Sequence, residues 1–283
     1  MIISLLAVLG VIFGSFVSAL TWRFHEQAVL APAKGVKPSK SLQKRLRELS
    51  MARGRSMCLH CGHELAAKDL VPILSWLALR GKCRYCGEPI SWHYPALEVL
   101  TGLVFVASYL WWPLGFRGVG LFQFVLWLVF LVGFMALAVT DLRWFTLADR
   151  IVYPLIGLAI VQTVIVALVL PSWHYLWMAA LAALIIAGVF YVLFQVSGGR
   201  WIGGGDVKLA VVLGLLAATP WKAVLVIFAA SVIGTIVSIP LLFKGKQGLK
   251  AKVPFGPLLL AATFITVLFG TAIVNWYNGL IVR

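Results

Sequence analysis

Nine acidic residues occur in the 283 of the chain. Glu98, Asp141, Asp149 and Asp206 lie within or at the ends of strongly apolar stretches. An ionisable side chain at the centre of a membrane helix costs about 2.5–3.5 kcal/mol, so each of the four is a functional candidate. Asp141 ends the third apolar stretch, Asp149 precedes the fourth and Asp206 opens the sixth. Two carboxylates at one site cannot easily both ionise and so share a proton. The ionised member can then draw a proton from water while the protonated one polarises a carbonyl, which is the chemistry of amide hydrolysis. Gly203, Gly204 and Gly205 precede Asp206, and Lys208 follows two residues on. Glycines there free the backbone, permit close approach of another segment, and break a helix where a cavity must be lined. The alternatives are structural: an Asp at a helix end acts as a cap or pairs with a base such as Arg143 or Arg150, and a Gly-rich turn is a tight connection. The sequence offers no rival chemistry, since His25, His93 and His174 form no nucleophile–base set with the serines and no zinc-hydrolase or phosphate-loop motif is present.

The four cysteines form a second constellation, CLHCG at 58–62 and CRYCG at 83–87. Each C-x-x-C-G knuckle turns at its glycine so that both thiolates face one ion. Two knuckles supply Cys58, Cys61, Cys83 and Cys86, a four-sulfur set suited to tetrahedral Zn²⁺. Disulfides are the alternative, and a reducing compartment disfavours them. His60 and His63 lie close by as substitute ligands, though four thiols suffice. The module has little apolar material of its own and is expected to need the metal to fold.

These groups must be positioned by an unusually apolar chain. Hydrophobic residues make up 62%, charged residues only 12%, and mean hydropathy is +1.00. A soluble domain carries about 25% charged residues, so the solvent for most of this chain is lipid. Apolar blocks long enough to cross about 30 Å of hydrocarbon predict an all-α polytopic membrane protein with about eight spans: 2–22, 95–112, 119–140, 151–170, 174–196, 206–219, 221–243 and 255–277. The first lacks the basic start of a cleavable signal and is expected to be retained. With the N-terminus outside, 21 of the 24 Lys and Arg fall in inward-facing loops, including Lys244, Lys246, Lys250 and Lys252, as positive-inside retention requires. Charge spread in this way is a topogenic signal and argues against nucleic-acid binding. Residues 23–94 are the single polar insertion, dividing the chain into a first helix (1–22), a cytoplasmic zinc module (23–94) and a multi-span core (95–283). Inside the insertion a Pro- and Lys-bearing segment (Pro32, Lys34, Lys37, Pro38) leads into a basic amphipathic helix at 41–50. Its Leu42, Leu46 and Leu49 face either the inner leaflet or the module behind it. Gly10-x-x-x-Gly14 permits close helix packing, within the chain or in a dimer, and the oligomeric state stays open.

The chain resembles the bacterial prepilin peptidase family from end to end. The resemblance is carried by GSFVSALTWR at 14–23, the two knuckles with LVPILSWLALRGKCRYCGEPISWHYPALEVLTG at 70–102, AVTDLRWFTLADRIV at 138–152, GGGDVKLAVVLG at 203–214 and VPFGPLLLAA at 253–262. GGGD matches the GxGD signature shared with presenilin-like proteases. The resemblance implies that Asp141 and Asp206 are catalytic, with Asp149, Gly203, Gly204, Gly205 and Lys208 in support. Ala148, Ser18 and Leu59 stand where proline, asparagine and proline are usual. It further implies type IV prepilin or type II secretion pseudopilin substrates, cut after a leader glycine at the cytoplasmic face of the bacterial inner membrane. The new N-terminus is then N-methylated from S-adenosylmethionine, whose binding residues the sequence does not assign. The competing readings are a peptidase without methylation, a proton-coupled transporter and a non-catalytic scaffold.

Overall fold

The computed structural model describes residues 1–32, 39–50, 54–243 and 253–281. The segment Lys34–Pro38 and the basic residues Lys244, Lys246, Lys250 and Lys252 lie outside them. Among the described residues the fold is helical, without strands; two isolated bridges, Met57 to Glu64 and Lys82 to Pro89, close the cysteine knuckles.

Two compact units divide the chain, Met1–Leu110 and Trp111–Arg283. In the first, α1 (Ile2–Val29) packs along α4 (His93–Leu110). A Cβ on Gly10 would lie 2.7 Å from the Gly102 Cα, and one on Gly14 would lie 2.7 Å from the Glu98 Cα. The glycine pair therefore seats α4 against α1 backbone to backbone. Between them come α2 (Lys40–Glu48), a short 3₁₀ turn (Ala67–Asp69) and α3 (Leu74–Ala78). The leucine face of α2 is turned inward: Leu49 is buried and Leu42 and Leu46 are half-buried. The carbonyls that follow it are tied to α1, where Gln27 Nε2 donates to Leu49 O and Arg23 donates to Ser50 O and Gly54 O.

The second unit contains α5 (Gly118–Trp144), α6 (Asp149–Val169), α7 (Trp173–Ser197), α8 (Gly204–Ala217), α9 (Pro220–Leu242) and α10 (Phe255–Ile281). Aromatic rings of α5 and α10 form its centre, with Trp127, Phe130 and Phe134 buried and Trp127 stacked on Phe264 at 6.1 Å. Gly214 brings α8 against α7 so closely that a Cβ would fall 2.3 Å from the Ala183 Cα. A Cβ on Gly133 of α5 would likewise meet Leu155 of α6 at 2.8 Å.

Six helices among those described, α1, α5, α6, α7, α9 and α10, are long and apolar enough to cross a membrane. The other two expected spans form the helices α4 and α8 and fall short of that mark. At 14 residues, α8 is only ~21 Å long, and α4 carries the buried Glu98, Thr101 and Ser108 along its length.

Candidate active site

Asp141 lies in the last turn of α5, which ends where Phe145 takes a left-handed conformation (φ 53°) and returns its N–H to the Asp141 carbonyl at 2.9 Å. The Asp141 side chain is 7% exposed. It accepts a 3.0 Å hydrogen bond from the backbone N–H of Gly256, in the first turn of α10. That amide is one of the orphan donors of a helix N-terminus, where negative charge is favoured. A Cβ on Gly256 would sit 2.6 Å from Asp141 Oδ2, so glycine is needed there for space.

Asp206 occupies the first turn of α8 and accepts from the Gly203 N–H at 3.2 Å through Oδ2. One oxygen thus does the work of a cap, as the structural alternative supposes. The other, Oδ1, is buried and among the described residues has no hydrogen-bond partner. A cap alone leaves no reason to bury a second carboxylate oxygen unsatisfied. Asp206 and Asp141 lie within range of each other's charge.

Leu147, in the loop between α5 and α6, ties the two aspartate segments together. A Cβ on Gly205 would lie 2.9 Å from the Leu147 Cβ, and one on Gly256 would lie 3.3 Å from its Cδ2. Of the roles expected of the glycines before Asp206, the helix break and close approach are seen. Gly204 and Gly205 are ordinary helical residues of α8, and none of the three takes a positive φ. The left-handed turns fall earlier, at Gly198 and Gly199. Close approach falls at Gly205.

Asp149, the first residue of α6, receives Lys208 Nζ on both oxygens, at 2.8 and 2.9 Å. Lys208 also lies 5.1 Å from the Tyr153 ring centroid. The pair links α6 to α8 half a turn beyond Asp206. It is partly exposed, so solvent screens it and its contribution is small.

In the first unit the four cysteine sulfurs lie within 4.8 Å of one another. Cys58 Sγ and Cys86 Sγ are 3.9 Å apart, close to the ~3.8 Å edge of a tetrahedron with Zn–S bonds of ~2.3 Å. Gly62 and Gly87 close their knuckles at φ 69° and 74°. The knuckles are also joined without metal. Asp69 accepts from Arg84 Nε at 2.7 Å and Tyr85 Oη at 3.1 Å, and Tyr85 stacks on His63 at 3.7 Å. The hydrogen bond from Arg84 holds the Asp69 carboxyl below the usual carboxylate range.

Sequence reasoning singled out both aspartates, Asp149, Lys208 and the cysteines. It assigned no role to Gly256 or Leu147. The signal for Gly256 was its place in VPFGP at a helix start, where backbone amides are free; Leu147 offered none.

Residues 8–112 match the family model described as the Bacterial Peptidase A24 N-terminal domain, and residues 128–239 match the Type IV leader peptidase family. Curated relatives carry the name prepilin leader peptidase/N-methyltransferase. The protein from Stutzerimonas stutzeri is 32% identical over 78% of this chain and 74% of its own length. That from Burkholderia pseudomallei (strain 1026b) is 32% identical over 93% and 84%, and that from Bacillus subtilis (strain 168) 30% over 81% and 87%. No solved structure gives a significant match.

Proposed function

The chain belongs to the type IV leader peptidase family, and from that premise we propose that Asp141 and Asp206 are the catalytic pair that cuts the prepilin leader. The protein is a prepilin peptidase with N-methyltransferase activity. The observation that carries the assignment is the buried Oδ1 of Asp206, unpartnered among the described residues and within charge range of the carboxylate held by Gly256.

In this reading one proton is shared by the pair. A water between the carboxylates gives a proton to the ionised member and attacks the scissile carbonyl, whose oxygen receives a hydrogen bond from the protonated member. The tetrahedral adduct collapses as the leaving amine takes a proton from the pair. Gly256 and Gly203 fix one oxygen of each carboxylate and leave the others for water and substrate. Asp149 and Lys208 support the site by holding α8 to α6.

The substrates are type IV prepilins or type II secretion pseudopilins, cut after the leader glycine. Loop charge places the aspartates and the zinc module (23–94) at the cytoplasmic face of the bacterial inner membrane. Completing the eight crossings are α4 and α8, the latter entering from the loop that carries Gly203. Zinc is the ion for Cys58, Cys61, Cys83 and Cys86, because four thiolates at tetrahedral separation suit it and need no open position. Its part is to tie the two knuckles together. S-adenosylmethionine supplies the methyl group.

The test is cleavage of a membrane-embedded prepilin by Asp141→Asn, Asp206→Asn and Asp149→Asn proteins of equal abundance. Asparagine keeps size and removes ionisation. The first two are expected to abolish cleavage and the third to reduce it less than about tenfold, because a solvent-screened ion pair contributes little. Undiminished cleavage by either of the first two sinks the assignment.

A further inference from the structure

Hydrolysis uses only carboxylates of the second unit. The first unit contains a buried acid that this chemistry leaves unemployed. Glu98 is 7% exposed and sits in the second turn of α4, beside Gly14 of α1. Its Oε2 accepts from the Ile73 N–H at 2.7 Å. Among the described residues it has no cationic partner. The other acids of the unit are accounted for. Glu64 pairs with Arg55 and Asp69 with Arg84, while Glu26, Glu48 and Glu88 are half-buried or exposed.

The donor to Glu98 is itself unusual. Ile73 has φ 60° and ψ −54°, a conformation that a β-branched side chain strongly disfavours. Strain of this sort persists where the surroundings impose it and gathers at functional sites. Here it aims a backbone N–H at a carboxylate, fixing that group's orientation without cancelling its charge. A residue needed only to anchor the loop would serve as well in the form of glutamine. A fixed, buried and unneutralised carboxylate is instead suited to a ligand that brings positive charge.

We propose that Glu98 binds the α-ammonium of the freshly cut substrate and takes its proton before methyl transfer. The inference rests on the methyltransferase reading above and adds the residue that activates the nucleophile. Leader removal leaves an ammonium, which has no lone pair to attack with. One N–H bond breaks, and the proton passes to a Glu98 carboxylate oxygen. The freed nitrogen lone pair then forms the N–CH₃ bond to the sulfonium methyl donor. The C–S bond breaks with its electron pair going to sulfur, giving a neutral thioether and a methylated ammonium. Glu98 loses its proton to water. The position agrees with the substrate, whose ammonium begins an apolar helix, because Glu98 lies just inside an apolar helix below the polar module.

The experiment compares wild type, Glu98→Gln and Glu98→Asp as full-length enzymes with a prepilin and S-adenosylmethionine, reading leader loss and methylation by intact mass. Glutamine can still accept the Ile73 hydrogen bond, so it removes charge and basicity alone. Glu98→Gln is expected to cleave within about twofold of wild type while methylation falls by about 10²-fold or more, the usual share of a general base. Glu98→Asp is expected to recover part of it. Affinity for the cut, unmethylated product, measured without methyl donor, is expected to fall about tenfold in Glu98→Gln. Normal methylation by Glu98→Gln overturns the proposal, and so does a parallel loss of cleavage and methylation, which would mark a structural role. If wild type cleaves but never methylates, the methyltransferase reading itself is what fails.

Discussion

The two oxygens of Asp206 have different surroundings, one bonded to Gly203 and one buried without a partner among the described residues. Asp141 is built on the same plan with Gly256 as donor. Each carboxylate is thus held by a main-chain amide at a helix start, and no side chain can replace that donor. Space is as important as the bond. A methyl group at position 256 would lie 2.6 Å from Asp141 Oδ2, so either the carboxylate or α10 must shift. Misplacing a reacting group by about 1 Å can cost on the order of 10²-fold in rate. Gly256→Ala is therefore expected to lower single-turnover cleavage by about that factor while the protein remains folded and membrane-inserted. Cleavage within twofold of wild type would show that Asp141 does not depend on this contact.

The helices place these residues by close contacts at small side chains. Gly214 seats α8 on α7 with no room for a Cβ, whereas Gly188, within α7, has open space at that point. Alanine at 214 forces the backbones apart and is expected to destabilise by on the order of 1–3 kcal/mol, the usual cost of overpacking. Alanine at 188 removes only the entropic disadvantage of a helical glycine, about 0.5–1 kcal/mol, and should be neutral or stabilising. Thermal unfolding in detergent, run on both variants, checks the pair; equal midpoints would contradict the packing described. Contacts of this kind were only partly legible in the sequence. Gly10 and Gly14 carried a recognisable spacing, and the structure uses them within the chain against α4. Gly256 carried only its place at a helix start, and Gly214 and Leu147 carried nothing, because their roles depend on neighbours supplied by distant segments. Leu147 has an ordinary side chain in a loop, and its importance lies in touching Gly205 and Gly256 together.

At the scale of the molecule, acids in apolar helices and paired cysteine knuckles were conspicuous in the sequence because each is costly or reactive outside a dedicated site. Hydropathy located every long helix. It could not settle whether α4 and α8 cross, since 14 residues with a polar start, or 18 residues around a buried acid, lie at the margin of what composition decides. The division into two units gives a last prediction. The cysteine cluster and Glu98 belong to Met1–Leu110, while Asp141 and Asp206 belong to Trp111–Arg283. If one ion holds the knuckles together, purified protein should contain about one zinc per chain by elemental analysis, and Cys58→Ser with Cys83→Ser should lose it. Asp69, Arg84, Tyr85 and His63 join the knuckles without metal, so the doubly substituted module should loosen more than it unfolds. Faster amide hydrogen exchange is then expected across 54–92 and little change in α5–α10. Methylation should fall more steeply than cleavage, because the elements that position Asp141 and Asp206 have their own packing. Equal loss of both activities would show instead that the peptidase site relies on the metal module.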